Sequence, residues 1–112
     1  MAKVLNGFLW AMLVTACSPG IPAADAWTGT WTGPEGTFLQ IAGSRGRYEI
    51  TIKDLDAARS YQGEAAGDRI VFSRDGIEET IRATTGTETG MKWLADKQEC
   101  LTVRPGEGYC RR

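Results

Sequence analysis

Histidine is absent from the 112 residues, so the side chains that could carry chemistry are carboxylates, hydroxyls, lysines and three cysteines. Histidine is the usual general base near neutral pH and the commonest protein ligand of transition metals. Its absence excludes Ser-His-Asp and Cys-His catalytic groups. Lysine-assisted serine chemistry would need Ser44, Ser60 or Ser73 beside a lysine, and no spacing in the chain demands this arrangement. The sequence therefore predicts no catalytic residue and a protein that is not an enzyme.

Glu79 differs from the other carboxylates because a period of two places it on the same strand face as Ile77 and Ile81. Apolar surroundings favour the protonated form of a carboxyl group unless a base such as Arg59 or Arg82 pairs with it. With a second carboxylate nearby, Glu79 could form the acid pair of a small periplasmic hydrolase, which is the alternative function. We instead expect Glu79 to lie at the rim of the fold, solvated or in a salt bridge.

Charged residues are balanced and scattered, with 13 Lys and Arg against 14 Asp and Glu and a formal net charge of -1. No basic face that could neutralise a phosphate backbone is visible, so nucleic acid is not an expected partner. Asp54, Asp56 and Glu64 lack the spacing of a calcium loop. The glycine-containing stretch 85–90 lacks the lysine and the following helix of a phosphate loop. No metal and no cofactor is therefore predicted.

The beginning of the chain has the features of an export signal that ends in a cysteine. Lys3 supplies a positive charge, and the mostly apolar stretch Val4–Val14 has eleven residues, against about 20 for a membrane-spanning helix. The sequence Val14-Thr15-Ala16-Cys17 resembles the lipobox of bacterial lipoproteins. The resemblance implies cleavage before Cys17, a diacylglyceryl thioether on its sulfur and a third acyl chain on the freed amine. Two or three acyl chains together anchor a protein stably.

Lipidation of Cys17 would divide the chain into three parts. Residues 1–16 are the lipoprotein signal peptide, residues 17–26 are the lipidated cysteine and a flexible tether, and residues 27–112 are the folded domain. Ser18 stands where an inner-membrane retention signal usually has Asp, so the resemblance implies the outer membrane, with the domain facing the periplasm. The alternative is an ordinary signal peptide that is cut at a small residue such as Ala24 or Ala26.

The number of cysteines agrees with lipidation, because an exported chain with three cysteines has an odd thiol unless one is used elsewhere. Cys100 and Cys110 then remain as a pair, separated by nine residues that include the turn-forming stretch Pro105-Gly106-Glu107-Gly108. We expect a disulfide bond across a hairpin, which would stabilise the fold by about 2 to 3 kcal/mol. A metal pair or a redox couple is the alternative, and the chain has neither a CxxC spacing nor a third ligand.

From Trp27 onward hydrophobic residues recur with a period of two, and turn signals follow at short intervals. The clearest strand is Arg47–Leu55, and no helix is long enough for a parallel crossover. The predicted fold is all-β, a small antiparallel up-and-down meander barrel of about eight strands over residues 27–112, with a two-sheet β-sandwich as the alternative. The predicted strands are 27–33, 36–43, 46–54, 59–66, 69–74, 77–85, 88–94, 100–104 and 108–111.

The start of this domain, Trp27-Thr28-Gly29-Thr30-Trp31 followed by an alternating stretch at 34–41, resembles the first two strands of the lipocalin and avidin barrels. The resemblance implies that Trp31 closes one end of the barrel, and it implies no inherited ligand. The end of the chain, residues 91–94 and 105–111, resembles small uncharacterised bacterial envelope lipoproteins, a resemblance that carries no mechanism.

Side-chain volume decides whether such a barrel is hollow. Twenty large apolar residues between positions 27 and 103 are enough to fill the interior of an eight-stranded barrel, so we expect a packed core with at most a cleft at one mouth. The side chains expected at the barrel mouth or in the core are Trp31, Tyr48, Glu79 and Trp93. Lys92-Trp93 beside Met91 could form an exposed aromatic contact, but Met91 and Trp93 share a face, and such pairs most often belong to a core.

These features predict a lipid-anchored protein of the cell envelope that works as a non-enzymatic binding or interaction module. Its expected partners are the membrane, through the lipid anchor, and an envelope protein or a small apolar ligand. Arg104, Arg111 and Arg112 form a basic end that could orient the domain near anionic lipid. The alternatives are the carboxylate hydrolase and an envelope protein similar to the lipoproteins that inhibit lysozyme.

Overall fold

A computed structural model describes residues 20–111, so the proposed signal peptide and Cys17 lie outside the described residues. Each strand pairs antiparallel with the next, and the last strand pairs with the first through Thr32 and Cys110, which closes the sheet. The predicted all-β, eight-stranded up-and-down barrel is therefore confirmed, and the two-sheet sandwich is wrong. The strands are β1 (Gly29–Thr32), β2 (Phe38–Ser44), β3 (Arg47–Lys53), β4 (Ala58–Ala66), β5 (Arg69–Arg74), β6 (Ile77–Thr84), β7 (Cys100–Arg104) and β8 (Glu107–Cys110).

Alternation along each strand places one set of side chains inside the barrel. In β3, Tyr48, Ile50 and Ile52 are buried, while Glu49 is exposed. Ile50 lies directly opposite Ile41 of β2, so apolar residues meet across the ladder. The buried core consists mainly of large side chains: Ala24, Trp27, Trp31, Leu39, Ile41, Tyr48, Ile50, Ile52, Ile70, Phe72, Ile81, Leu101, Val103 and Tyr109.

Tight turns determine the register of the hairpins. Between β5 and β6, Asp75 has φ 55° and Gly76 has φ 78°, which is the left-handed backbone that a two-residue hairpin turn needs at both central positions. Asp and Gly tolerate this conformation better than other residues, as the sequence predicts for this turn. The resulting register sets Arg74 opposite Ile77 and Phe72 opposite Glu79.

The predicted strand at 88–94 is wrong. Two short 3-10 helices, Thr87–Thr89 and Lys92–Leu94, occupy this part of the long β6–β7 connection. The Thr89 hydroxyl donates to the Gly86 carbonyl at 2.6 Å, and Gly90 ends the first helix with φ 77°. These local hydrogen bonds override the apolar alternation of the stretch, because a strand there would need extended backbone at Gly90. The connection instead packs on the sheet, with Thr89 against Gly108 of β8.

A third 3-10 helix, Ala23–Trp27, closes one end of the barrel, and we call it the plug helix. Ala24 and Trp27 are buried in the main core, so residues 23–26 are packed on the barrel and the prediction of a flexible tether is wrong for them. The plug end is the end of the barrel that carries this helix and the turns at 45–46 and 67–68. The opposite end, which we call the mouth, carries the connections at 33–37, 54–57, 75–76 and 105–106. No helix within residues 20–111 has both the length and the apolar character needed to cross a membrane.

Candidate functional site

The mouth encloses an open cavity of about 470 Å³ above the packed core. Its floor includes Ile52 and Tyr109, which are buried core residues, so the cavity does not continue down the barrel axis as a deep cup. The residues that line the cavity come from all four connections at this end, from the adjoining strands and from the β6–β7 connection: Pro34, Glu35, Thr37, Ile52, Asp54, Leu55, Arg59, Tyr61, Arg74, Asp75, Met91, Arg104, Gly106, Glu107, Gly108 and Tyr109.

Two arginines and two glutamates form a connected ion-pair cluster at the mouth, and we call it the quartet: Arg74, Glu79, Arg104 and Glu107. Arg74 donates from Nη1 to Glu107 Oε2 at 2.9 Å and from Nη2 to Glu107 Oε1 at 2.8 Å. Arg74 Nη2 also lies 3.2 Å from Glu79 Oε2, and Arg104 donates to the same carboxylate oxygen. The side chains of Arg74 and Glu79 are only 13% and 7% exposed, whereas that of Arg104 is 50% exposed. The quartet therefore compensates buried charge on the inner side and presents a guanidinium to solvent on the outer side.

The quartet keeps its carboxylate Glu107 ionised. Burial alone would raise the pKa of Glu107, but the hydrogen bonds from Arg74 and Tyr109 outweigh it and leave the pKa below its usual range. The hydrogen bond to Glu107 raises the pKa of Arg74. Burial and the neighbouring Glu107 raise the pKa of the Tyr109 hydroxyl, which donates to Glu107 Oε2 at 2.8 Å. Glu107 is thus an acceptor of hydrogen bonds, not a donor of protons.

The quartet lies where the hydrogen-bonded sheet is interrupted. The β4–β5 ladder ends at the pair Gly63 and Phe72, and the β6–β7 ladder covers only 82–84. Among the described residues, the tip of the β5–β6 hairpin, residues 73–81, is therefore ladder-paired only within the hairpin itself. A surface cavity of about 430 Å³, which includes Gln62 and Ser73 in its lining, lies beside this gap between β4 and β5. Arg74 and Glu79 connect the hairpin tip to β7 and β8 by side chains alone.

Arg59 and Tyr61 of β4 supply donors that are not used within the fold. They lie two residues apart on the inward face of β4, and both line the mouth cavity. Tyr61 packs against Phe72 with ring centroids 5.4 Å apart. Neither the Arg59 guanidinium nor the Tyr61 hydroxyl has a hydrogen-bonded partner in residues 20–111. These groups can donate hydrogen bonds to a ligand oxygen without breaking an internal bond.

Trp31 and Tyr48, which were predicted mouth or core contacts, lie in the core toward the plug end. Trp31 is 1% exposed, its Nε1 donates to the Trp27 carbonyl at 2.8 Å, and the Arg111 guanidinium lies 4.0 Å from the ring centroid. The Tyr48 hydroxyl donates to Asp25 of the plug helix. Burial and this hydrogen bond raise the pKa of Tyr48 to about 12. Both side chains hold the plug end closed and do not reach the mouth cavity.

Trp93 does not belong to a core, which corrects the prediction that it shares a buried face with Met91. Its side chain is 75% exposed on the Lys92–Leu94 helix. Met91 is half-buried in a second, small cluster with Leu94 and the two cysteines. Because the stretch is helical and not a strand, residues two positions apart do not share a face.

The disulfide bond between Cys100 and Cys110 is present in the structure and joins directly opposite residues of β7 and β8. Leu101 and Tyr109, the inward neighbours of these cysteines, belong to the main core, so the disulfide lies on the outer face of the sheet. Leu94 of the β6–β7 connection packs on it. The disulfide therefore supports this connection, and Met91 of the same cluster reaches the mouth cavity.

Glu79 lies at the mouth in a salt bridge, as predicted, but with different partners. Arg74 and Arg104 pair with it, whereas Arg59 and Arg82, the bases considered from the sequence, do not. The predicted basic end is also divided, since Arg104 lies at the mouth and Arg111 contacts the plug helix at the Ala26 carbonyl. A hairpin register counted back from Asp75-Gly76 would place Arg74 and Glu79 close together, but Arg104 and Glu107 come from a different hairpin and have no such signal.

Within the described part of the chain, no three Cys, Asp or Glu side chains are placed to hold a metal ion. The fold and the site together define an eight-stranded up-and-down barrel that is plugged at one end and open at the other through a charged mouth. No family model, no curated protein and no solved structure matches this chain.

Proposed function

We propose that the protein is a lipid-anchored, non-enzymatic binding module of the bacterial cell envelope. Cys17 attaches it to the outer membrane on the periplasmic side, and the mouth binds the ligand. The observation that carries the proposal is the mouth cavity of about 470 Å³ above a filled core, with the donors of Arg59 and Tyr61 left unused on its wall. A filled core favours recognition at the mouth over carriage of a ligand inside the barrel.

The anchor is supported by the sequence Val14-Thr15-Ala16-Cys17 and by the fate of the other cysteines. Cys100 and Cys110 form a bond with each other, so Cys17 is the cysteine left for modification. A cross-strand disulfide also favours an oxidising compartment such as the periplasm. These features agree with export followed by lipidation.

A binding role is favoured over the carboxylate hydrolase by the state of the mouth carboxylates. General acid catalysis by a glutamate needs a protonated carboxyl group near neutral pH. Glu107 has a lowered pKa and accepts hydrogen bonds from Arg74 and Tyr109, and Glu79 is held between Arg74 and Arg104. Such carboxylates order a surface and orient arginines, which suits recognition.

The lining also narrows the chemistry of the ligand. Arg59 and Tyr61 offer donors, while Ile52, Leu55 and Met91 offer apolar contact in the same cavity. We therefore expect a ligand group that carries acceptor oxygens, such as a carboxylate, beside apolar atoms, on an envelope protein or on a small molecule. A purely apolar ligand would leave these donors desolvated and unpaired.

The intact mass of the protein purified from its native cells tests the anchor. We expect a chain that begins at Cys17 and carries a diacylglyceryl group and an additional acyl chain, and we expect the Cys17→Ser variant to carry neither. An unmodified sulfur at position 17 in the wild-type protein would contradict the proposal.

Ligand retention by matched arginine variants tests the mouth. The wild-type protein, Arg59→Ala and Arg82→Ala are immobilised side by side and exposed to solubilised envelope extract. Arg82 is an exposed arginine of β6 outside the mouth cavity, so Arg82→Ala serves as the control. It removes one positive charge, as Arg59→Ala does. We expect wild-type and Arg82→Ala to retain the same ligand and Arg59→Ala to lose most of it. Retention by none, or by all three equally, would show that the mouth is not the binding site.

A further inference from the structure

We propose that the plug end of the barrel rests on the anionic lipid surface and that the mouth faces away from it. This inference depends on the proposed lipid anchor, and it adds the surface with which the folded domain meets the membrane. Two observations carry it: the place where the chain leaves the barrel toward Cys17, and the distribution of charge between the two ends.

The chain enters the barrel at the plug end. Pro22 lies beside the β2–β3 turn, with its Cγ 3.8 Å from the position of a Cβ on Gly46. Asp25 accepts hydrogen bonds from the Arg45 backbone N–H at 2.9 and 3.1 Å, which holds the plug helix against the same turn. These contacts of residues 22–25 therefore hold Pro22 at the plug end.

The chain between Cys17 and Pro22 is too short to let the mouth face the membrane. Five residues extend to at most about 18 Å. Strand β4 alone, Ala58–Ala66, has nine residues and spans about 30 Å, or a little over 20 Å along the axis of a tilted barrel. A mouth in contact with lipid would require the chain to run from the plug end past the whole barrel, which even a fully extended segment does not achieve.

The distribution of charge also favours the plug end as the end that faces the membrane. Around the plug end, with the β6–β7 connection included, seven bases balance seven carboxylates, and Arg69 and Arg82 are directly opposite each other in the β5–β6 ladder. The bases are Arg45, Arg47, Arg69, Arg82, Lys92, Lys97 and Arg111, and the carboxylates are Asp25, Glu49, Glu64, Asp68, Glu88, Asp96 and Glu99. Around the mouth, the bases Lys53, Arg59, Arg74 and Arg104 are outnumbered by the carboxylates Glu35, Asp54, Asp56, Asp75, Glu78, Glu79 and Glu107.

An anionic surface attracts each nearby Lys or Arg and repels carboxylates within a Debye length of about 8 Å. The excess of carboxylates at the mouth therefore turns that end away, and the plug-end arginines find phosphate partners. Charge reinforces the orientation that the short connection to Cys17 already favours.

Two cysteine variants at opposite ends of the same strand test the orientation. Ala57→Cys lies just before β4 at the mouth and Ala66→Cys ends β4 at the plug end, and both alanines are exposed. With Cys17 lipidated and Cys100 bonded to Cys110, the introduced cysteine is the free thiol that takes a fluorophore. The lipidated full-length protein is reconstituted into phosphatidylglycerol vesicles that carry a headgroup quencher. We expect quenching at position 66 to exceed quenching at position 57 at least threefold. Equal quenching, or stronger quenching at 57, would overturn the inference.

Paired neutralisations test the electrostatic part. Arg45→Gln with Arg82→Gln removes two plug-end charges, and Lys53→Gln with Arg59→Gln removes two charges at the mouth as a matched control. We expect the first pair to lower the quenching at position 66 to its level in phosphatidylcholine vesicles, and the second pair to leave it unchanged. An equal effect of both pairs would overturn the assigned surface. The intact mass of the protein in the same preparations shows whether Cys17 is lipidated. An unmodified Cys17 would therefore contradict the proposed anchor, whereas the quenching of a lipidated protein tests the orientation alone.

Discussion

Arg74 and Glu107 form a bidentate ion pair between β5 and β8, strands that are not neighbours in the barrel. The pair lies at the mouth, where the β5–β6 hairpin tip has lost its ladder contacts to β4 and β7. Side-chain charge therefore closes the barrel at a place where backbone hydrogen bonds do not. The same contacts leave Arg59 and Tyr61 open to the cavity, so closure and recognition are served by different residues.

Removing the Glu107 carboxylate should destabilise the fold. In Glu107→Gln, Arg74 remains largely buried with a weakened partner, and loss of one member of such a pair costs about 2 to 4 kcal/mol. Glu78→Gln is the control, because Glu78 is exposed and has no ion pair among the described residues, and we expect a change within about 0.5 kcal/mol. Urea unfolding of both variants measures the difference, and equal midpoints would contradict a stabilising role of the quartet.

Acid should lower the free energy of unfolding by protonating the Glu107 carboxylate. The pKa of Glu107 is lowered in the folded state, so its contribution to stability is present above the unfolded pKa near 4.5 and is lost as pH falls through the folded pKa. Asp25 acts in the same direction, since the hydrogen bonds from Tyr48 and Arg45 lower its pKa. We expect the unfolding free energy of Glu107→Gln to fall less steeply below pH 4.5 than that of the wild type. Parallel curves would exclude Glu107 as a source of the acid sensitivity.

Alkali should lower the free energy of unfolding through Tyr48 at the plug end, in addition to Tyr109 at the mouth, whose pKa is also raised. Because burial and Asp25 raise the pKa of Tyr48 to about 12, the folded state stays neutral there while the unfolded chain ionises near pH 10. The contribution is complete below pH 10 and is lost as pH rises toward 12. Tyr48→Phe should therefore lose less stability between pH 10 and 12 than the wild type, although it is less stable at pH 7 by about 1 kcal/mol for the lost hydrogen bond. Thermal unfolding followed by circular dichroism at several pH values checks both effects.

Loss of the disulfide should affect the β6–β7 connection more than the mouth. Replacing both cysteines, Cys100→Ala with Cys110→Ala, should cost about 2 to 3 kcal/mol on the chain-entropy estimate for a short loop. Leu94 packs on the disulfide, so amide exchange should rise in residues 85–99. Met91 belongs to this segment and lines the mouth cavity, so any change in ligand retention should come through Met91. Faster exchange at the mouth without a change in 85–99 would contradict the placement of the disulfide outside the barrel.

Hydrogen exchange should reveal the hairpin tip as the least protected part of β5 and β6. Residues 73–81 have ladder partners only within the hairpin, whereas Arg82 pairs with both β5 and β7, and 83–84 pair with β7. We therefore expect faster amide exchange at 77–81 than at 82–84, and a further increase at the tip in Glu107→Gln. Uniform protection along β6 would show that the tip is held as firmly as the rest of the barrel.

Most strands and tight turns could be predicted from the sequence, because they depend on residues that are close to each other along the chain. Tyr48, Ile50 and Ile52 alternate with polar residues, and Asp75-Gly76 supplies the backbone that a tight hairpin needs. The stretch 88–94 alternates as well, yet Thr89 and Gly90 form local hydrogen bonds and a left-handed residue that a strand excludes. Trp93 was placed in the core by this alternation and lies exposed because the extended backbone is absent.

The sequence alone determined that the folded part is an antiparallel β meander, that Cys100 and Cys110 can meet, and that Glu79 lies on an inward face. These properties depend on periods, turns and residue types within one or two strands. Only the tertiary structure decided the partners of Glu79, which are Arg74, 5 residues away, and Arg104, 25 residues away. It also decided that Glu107 binds Arg74, from which it is separated by 33 positions in the sequence. Closure of eight strands brings distant chain segments together at the barrel ends, and the charges that share a desolvated space there are selected by that geometry.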